Sequence, residues 1–408
     1  MASFSRRQLA ALCWVASACT GVTASPSWVE TVEASCEQQG VPSQLVWAVA
    51  SVEGGLVLPA QRVVDPNDHV PVAGILELRH GAFDSLARGA ALLDTTEGAL
   101  RQDTLLGTRA GIAVLAELGR QSGAQLGELS SWHAAVATLS GHRTAAQRED
   151  YARRVFVVLA AGATLPTASG ETVTIRRHAF PALDLSPPIV ATQGLTPQFP
   201  GAVWFDTPQA NKWTPGRTTV IDRIVIHDTE GGWDASVSTL QNDGGKSVHY
   251  LIDADGSRVG QFILESDTGW HAGDWYWNQR SVGIEHVGYA SQTFQRALYL
   301  KSVDLVNSIR SRHTIPLDRQ HIAGHYQVPG PNPPQDPACS AGLDACESDL
   351  NYGGSNHHTD PGYNWQWCEY MEMLGGTCEC NDAWALYNCT TDHTEAWRCS
   401  GVLVETVP

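Results

Sequence analysis

Apolar residues recur at helical spacing through the first third of the chain. In "GTRAGIAVLAELGRQ", Ile112, Leu115, Ala116 and Leu118 gather near one face. "QREDYARRVFVVLA" repeats the arrangement with Tyr151, Val155 and Val158, so residues 25–162 are expected to be all-helical. Between 163 and 200 this periodicity stops. Pro166, Pro181, Pro187, Pro188, Pro197 and Pro200 punctuate a stretch that reads as a linker. From 201 the pattern is mixed. "RIVIH", "SVHYLID" and "SVGIEHVG" are short β-branched runs, and "ADG" supplies a turn after the second. "FQRALYLKSVDLVNSIRSRH" is a helix with Phe294, Leu298, Leu305 and Ile309 to one side. Strands followed by a helix imply an α/β layer around a largely buried sheet over 201–374. The remaining tail, 375–408, is rich in cysteine and too short for a core without bridges. The expected class is thus multidomain: an all-α unit, an α/β unit and a disulfide-rich tail.

Composition narrows the compartment and the partners. At 408 residues the chain is too long for one ordinary domain. A formal net charge of −17 argues against nucleic acid or an anionic membrane surface as partner. Residues 1–24 read as an export signal: Arg6 and Arg7, the apolar "LAALCWVASA", then "VTA" before Ser25. "ASAC", ending at Cys19, offers an alternative, a lipoprotein processing site. No other apolar run is long enough to span a bilayer. The expected location is outside the cytoplasm, secreted or periplasmic, or tethered by lipid on Cys19. Apart from Cys13 and Cys19, eight cysteines remain, seven of them after residue 338, a pattern that fits disulfides in an oxidising compartment. Cys36 stands alone, either free and buried or bridged across units.

Candidate chemistry gathers in the α/β region. "RIVIH" ends in His227, where a buried strand passes into a loop. "IAGHYQVPG" supplies His325 after a second apolar run, and "SNHHTDPGYNW" supplies Asp360 at a Pro-Gly turn. Two neutral imidazoles and a carboxylate make three zinc (Zn2+) ligands and leave the fourth position for water, whose pKa falls to about 7 there.

These ordered motifs, "IVIHDT…SVHYLIDADG…GWHAGDWYWNQRSVGIEHVG…GHYQVPG…NHHTDPGYNW", resemble the zinc N-acetylmuramoyl-L-alanine amidases (amidase type 2), relatives of the peptidoglycan recognition proteins. The likeness covers roughly 201–374. It implies a mixed sheet flanked by helices, zinc in a surface groove, and hydrolysis of the amide joining the muramic acid lactyl group to L-Ala of the stem peptide. Peptidoglycan is then the partner. The family's ligands fall on His227, His325 and Asp360, and its general base falls on Glu285. Strand alternation puts Glu285 and His286 on opposite faces, so only one of them looks into the site. His249, Trp270, His271 and Asn278 fall on groove-wall and substrate-contact positions. Many members carry Lys two residues before the final Asp, as an oxyanion stabiliser; this chain has His358, with His357 beside it. An insert from Pro331 to Asn356 also departs from the family, and its Asp336, Asp344, Glu347 and Asp349 read as a solvated acidic loop.

The helical region bears a fainter likeness, to lysozyme-like lytic transglycosylase domains, in "WAVASVEGG", "VAGILELR" and the two helices quoted first. That likeness would make Glu53 a second catalytic acid. The family's Glu-Ser is Glu53-Gly54 here, and its Gly-Leu-Met-Gln is Gly-Ile-Leu-Glu, ending at Glu77. Three functional expectations follow: a zinc amidase, a non-catalytic peptidoglycan-binding protein on the same fold, or a bifunctional wall hydrolase. Oligomeric state is not legible in the sequence.

Overall fold

The computed structural model describes residues 26–61, 72–186, 195–208, 212–242, 244–319, 321–325, 328, 360–362, 364–377, 395–397 and 403–406. The export signal with Cys19, His357 and His358, the acidic insert, and every cysteine after 338 except Cys368 lie outside these residues.

Among the described residues, seven α-helices build the N-terminal unit: α1 (Trp28–Gln39), α2 (Ser43–Glu53), α3 (Ser85–Leu92), α4 (Glu97–Gln102), α5 (Thr104–Ser122), α6 (His133–Leu139) and α7 (Ala145–Ala161). Local sequence sets their ends. Ser27 accepts from the Glu30 amide while the Glu30 carboxylate accepts from Ser27, a reciprocal cap that starts α1, and Gly40 stops it in the left-handed region. Most of α5 is buried: Ile112, Val114, Leu115 and Leu118 all lie in the core, as befits a central helix. Cys36 is a free, buried thiol in this core, pushed up to about 12 by burial and by Glu33.

The stretch read as a linker begins differently. Strands β1 (Ala163–Pro166) and β2 (Thr172–Ile175) form an antiparallel hairpin whose Val173 and Ile175 enter the helical core. Period-2 alternation in "TVTI" carried that signal, masked by its proline-rich surroundings.

In the α/β unit, β5 (Arg223–Asp228), β9 (Ser281–His286), β6 (Tyr250–Ile252), β7 (Val259–Gln261), β10 (Ile322–Gly324) and β3 (Val203–Trp204) form one mixed sheet, ordered β10-β5-β9-β6-β7-β3. The β10–β5, β5–β9 and β9–β6 pairs are parallel, whereas β6–β7 is antiparallel. A two-stranded ribbon, β4 (Trp213–Thr214) with β8 (Thr268–Gly269), lies outside this sheet. Every residue of β5 and β9 is buried, which is why these strands read as apolar runs covered on both faces. On one face Ile224, Ile226, Val282 and Ile284 pack with α10 (Arg296–His313) and α11 (Trp367–Met373) through Leu298, Leu305, Ile309, Tyr370 and Met371. On the other, Val225 and Ala323 pack with Ala272 and with Trp277 of α9 (Trp275–Arg280).

The two units meet at the start of α8 (Trp233–Asn242). Asp234 there accepts from both Arg154 guanidinium nitrogens, one at 2.8 Å, and lies 2.8 Å from His142 Nε2. Burial disfavours its charge, but Arg154 and His142 hold the carboxyl well below its ordinary value. In the tail, β11 (Glu395–Trp397) pairs antiparallel with β12 (Leu403–Thr406). No described helix is long and apolar enough to cross a membrane.

Candidate metal centre

Strand alternation decides which side chains meet. With Ile224 and Ile226 committed to α10, Val225 and His227 face the other way, and β10 delivers His325 beyond Ala323 on that same face. Register places Glu285 directly beside His227, while His286 turns to the α10 side. There its Nδ1 meets the His227 carbonyl at 2.8 Å and its Nε2 meets Ser302 Oγ at 2.8 Å. Burial pushes His286 down to about 4, which keeps it neutral. Of the two residues, Glu285 is thus the one on the site face. The cluster lies at the carboxyl ends of parallel strands, where open α/β sheets place their ligands.

Asp360 closes the cluster from a distant part of the chain. Its Oδ2 lies 2.9 Å from His227 Nδ1 and 3.1 Å from His325 Nδ1. One ligand-type atom from each of the three residues falls within 4.8 Å of the others, and all three residues are buried. Burial opposes ionisation of Asp360, yet His325 and His227 overcome it and hold the carboxyl well below its ordinary value. Two imidazoles and a carboxylate suit zinc, and their convergence is what a small cation requires. The residues fit such an ion.

A chain of hydrogen bonds behind His227 fixes its tautomer. Ser281 donates its hydroxyl to the Trp277 carbonyl at 2.6 Å, an acceptor only. Ser281 Oγ must therefore accept from His271 Nε2, 3.2 Å away. His271 Nδ1 is then an acceptor that can take a proton from His227 Nε2 at 3.0 Å, the tautomer in which His227 Nδ1 would present its lone pair to a cation shared with Asp360. Burial, then His227 and the other nearby cations and imidazoles, pushes His271 well below its ordinary value, so it stays the neutral link this chain needs. The room for it comes from Gly283, where a Cβ would lie 2.6 Å from the His271 ring.

The other sequence-selected residues take different places. His249 is buried behind His271; its Nδ1 accepts from the Gly283 amide at 3.0 Å and its Nε2 meets Arg217 at 2.8 Å. Burial and Arg217 push it down to about 3. Asn278 is buried too, its Oδ1 accepting from the amides of His271 and Ala272 at 3.0 and 2.8 Å, so it shapes the "GWHAG" turn. Trp270 is half-buried, its indole donating to Thr214 at 3.1 Å. Of these groove residues, His271 touches a candidate ligand and Trp270 keeps an open face. Glu53 belongs to the helical unit, at 1% exposure, bound at both oxygens by Arg79 (2.7 and 2.8 Å) and by the Tyr151 hydroxyl at 2.6 Å. Ser281 was not anticipated, although it shares the β9 face with Gly283 and Glu285.

Residues 217–339 match the family model for N-acetylmuramoyl-L-alanine amidase (Amidase_2), a span that holds His227, Glu285 and His325 and stops short of Asp360. Among solved structures, the chain is similar to a selenomethionine derivative of AmpD (19% identity, 44% of this chain and 98% of that one, TM-score 0.30). It is similar also to the N-acetylmuramyl-L-alanine amidase AmiD from E. coli, solved with anhydro-N-acetylmuramic acid-L-Ala-D-gamma-Glu-L-Lys (20%, 56% and 72%, TM-score 0.29). A mutant endolysin from Bacillus subtilis gives 22%, 37% and 99%, with a TM-score of 0.27. No curated protein matches the chain.

Proposed function

From the premise that the chain carries an amidase type 2 domain, we propose that it is a zinc-dependent N-acetylmuramoyl-L-alanine amidase acting on peptidoglycan. The observation that carries this reading is the convergence of His227, His325 and Asp360 on one buried point beside Glu285. Zinc held there would supply Lewis acidity toward the scissile carbonyl and acidify a water. The chain's own residues do the rest. His227 presents Nδ1 because the Ser281–His271 chain holds its other proton. Glu285, beside His227 in the sheet, takes the proton of the attacking water and passes it to the departing L-Ala nitrogen. His358, outside the described residues, is the donor we propose for the carbonyl oxygen as charge develops. Trp270 offers an aromatic wall to the substrate. The polymer lies outside the cytoplasm, so an exported enzyme, secreted, periplasmic or anchored at Cys19, suits the reaction.

A purely binding protein would have no need of a complete ligand set. A second, glycan-cleaving activity is not favoured either, because Glu53 is enclosed by Arg79 and Tyr151. Digestion of purified muropeptides with and without chelator, followed by mass analysis, tests the proposal. Stem peptides beginning with L-Ala and intact glycan are expected, and chelation should abolish them. A digest holding only anhydromuramoyl products would overturn it.

A further inference from the structure

Glu77 belongs to the helical unit, yet its carboxylate is spent on the other one. Oε2 accepts from the Gly232 amide at 2.8 Å, and Oε1 accepts from the Tyr289 hydroxyl. Gly232 ends the loop that follows His227, and Tyr289 sits in the loop that follows Glu285. These two loops are laced together. Gly231 donates to the Gly288 carbonyl at 3.2 Å, the Thr229 amide to the His286 carbonyl at 3.1 Å, and the Ala290 amide to Glu230 at 2.7 Å. The turn bearing Asp360 joins them, since Asn364 Nδ2 donates to the Ser291 carbonyl at 3.0 Å. One carboxylate from the helical unit therefore grips the segment onto which His227, Glu285 and Asp360 all lead.

The grip is built rather than incidental. Glu77 is fully buried and holds a left-handed backbone (φ 45°), which a non-glycine residue keeps only where its surroundings impose it. Arg79 helps to impose it: its Nη1 donates to the Glu77 carbonyl at 3.2 Å and also to Glu53, which Nη2 holds as well. At Gly232 the units approach so closely that a Cβ would lie 1.9 Å from the Glu53 carbonyl oxygen. Gly232 immediately precedes α8, so Glu77 takes up an amide at the start of that helix.

We infer that Glu77 is a positioning residue for the metal centre, holding the His227 and Glu285 loops in register from a separate unit of the chain. This makes the helical unit a working part of the amidase. The inference rests on the metal-site reading above, and its test keeps the two apart.

Full-length Glu77→Ala, Glu77→Gln and Tyr289→Phe are compared with the unsubstituted chain and with Asp234→Asn, which weakens the Arg154 contact but touches neither loop. The readouts are amide hydrogen exchange at 229–232 and 287–290 in metal-free protein, zinc retention against a competing chelator, and kcat and KM separately. Glu77→Ala should speed exchange at these amides and weaken zinc retention about 10-fold, the scale for groups that orient metal ligands. It should lower kcat more than it changes KM. Glu77→Gln should recover most of the loss, because its carbonyl oxygen still accepts from Gly232, and Tyr289→Phe should fall between. Unchanged exchange and zinc retention in Glu77→Ala would overturn the inference. Equal losses in Asp234→Asn would do the same, by showing that docking in general is what matters. If Glu77→Ala does not fold, Tyr289→Phe decides on the same readouts. Zinc failing to bind the unsubstituted chain would instead sink the metal reading, and the exchange data would still judge Glu77.

Discussion

Each unit buries an acidic centre, and the two solve the problem of charge in opposite ways. Glu53 has its cation built in: Arg79 binds both carboxylate oxygens, and Tyr151 adds a third bond. Asp360 instead faces two imidazoles, His227 and His325, and, among the described residues, no guanidinium. A buried carboxylate is costly without a partner. A fixed guanidinium makes such a group structural, whereas imidazole lone pairs around it make a place for an exchangeable cation. The contrast separates the two carboxylates better than motif likeness does.

The sharpest way to break this contrast is to remove a ligand. His227→Ala or Asp360→Ala should abolish stoichiometric zinc binding, measured by metal analysis after dialysis. Either change should cost several kcal/mol of transition-state stabilisation, a thousandfold or more in roughly estimated rate. Retained zinc in either variant would mean the cation sits elsewhere. In the helical unit the matching experiment is Arg79→Ala, which strands Glu53. It should destabilise the fold by about 3–5 kcal/mol in denaturant titration. A neutral result would show that Glu53 is not held as the geometry implies. Glu285→Gln sharpens the comparison inside the α/β unit: zinc should stay while the rate falls about 10²-fold or more. Normal turnover would move the general base to another residue.

The smallest effect concerns the boundary between the units. Burial, then the nearby Glu53, raises Glu77 from 4.5 to about 8, so the folded protein favours its neutral form. An unfolded chain loses that proton near pH 4.5, and the folded one keeps it to about pH 8. Between those values the folded state binds more protons, so stability falls as pH rises. From pH 7 to 8 this group alone should cost about 1 kcal/mol, and Glu77→Gln should flatten that part of the profile. An identical slope in the variant would place the titration elsewhere.

Sequence made β5 and β9 readable because both faces of each are covered, which leaves apolar runs that few other structures require. The alternation argument separating Glu285 from His286 holds in the sheet for the same reason: a period of two leaves no choice of face. His249 and Asn278 show where that legibility ends. A polar residue in a groove and one feeding a buried backbone amide look alike until the fold supplies the amide. Glu77 was visible only as a departure from a motif. Its partner amide is 155 residues away, and no local pattern encodes a contact between units.

The separation of His227 and Asp360, 133 residues along the chain, carries a consequence for the order of events during synthesis. A nascent chain that has emerged only as far as β10 can pair its parallel strands and bring both imidazoles together, yet it lacks Asp360. Contacts of such long span form late, because the loop must close before they repay it. Tight capture of an ion would thus wait for the segment bearing Asp360, and an ion once captured would hold that segment against β5. Metal uptake would then serve as a timestamp for completion of the polypeptide.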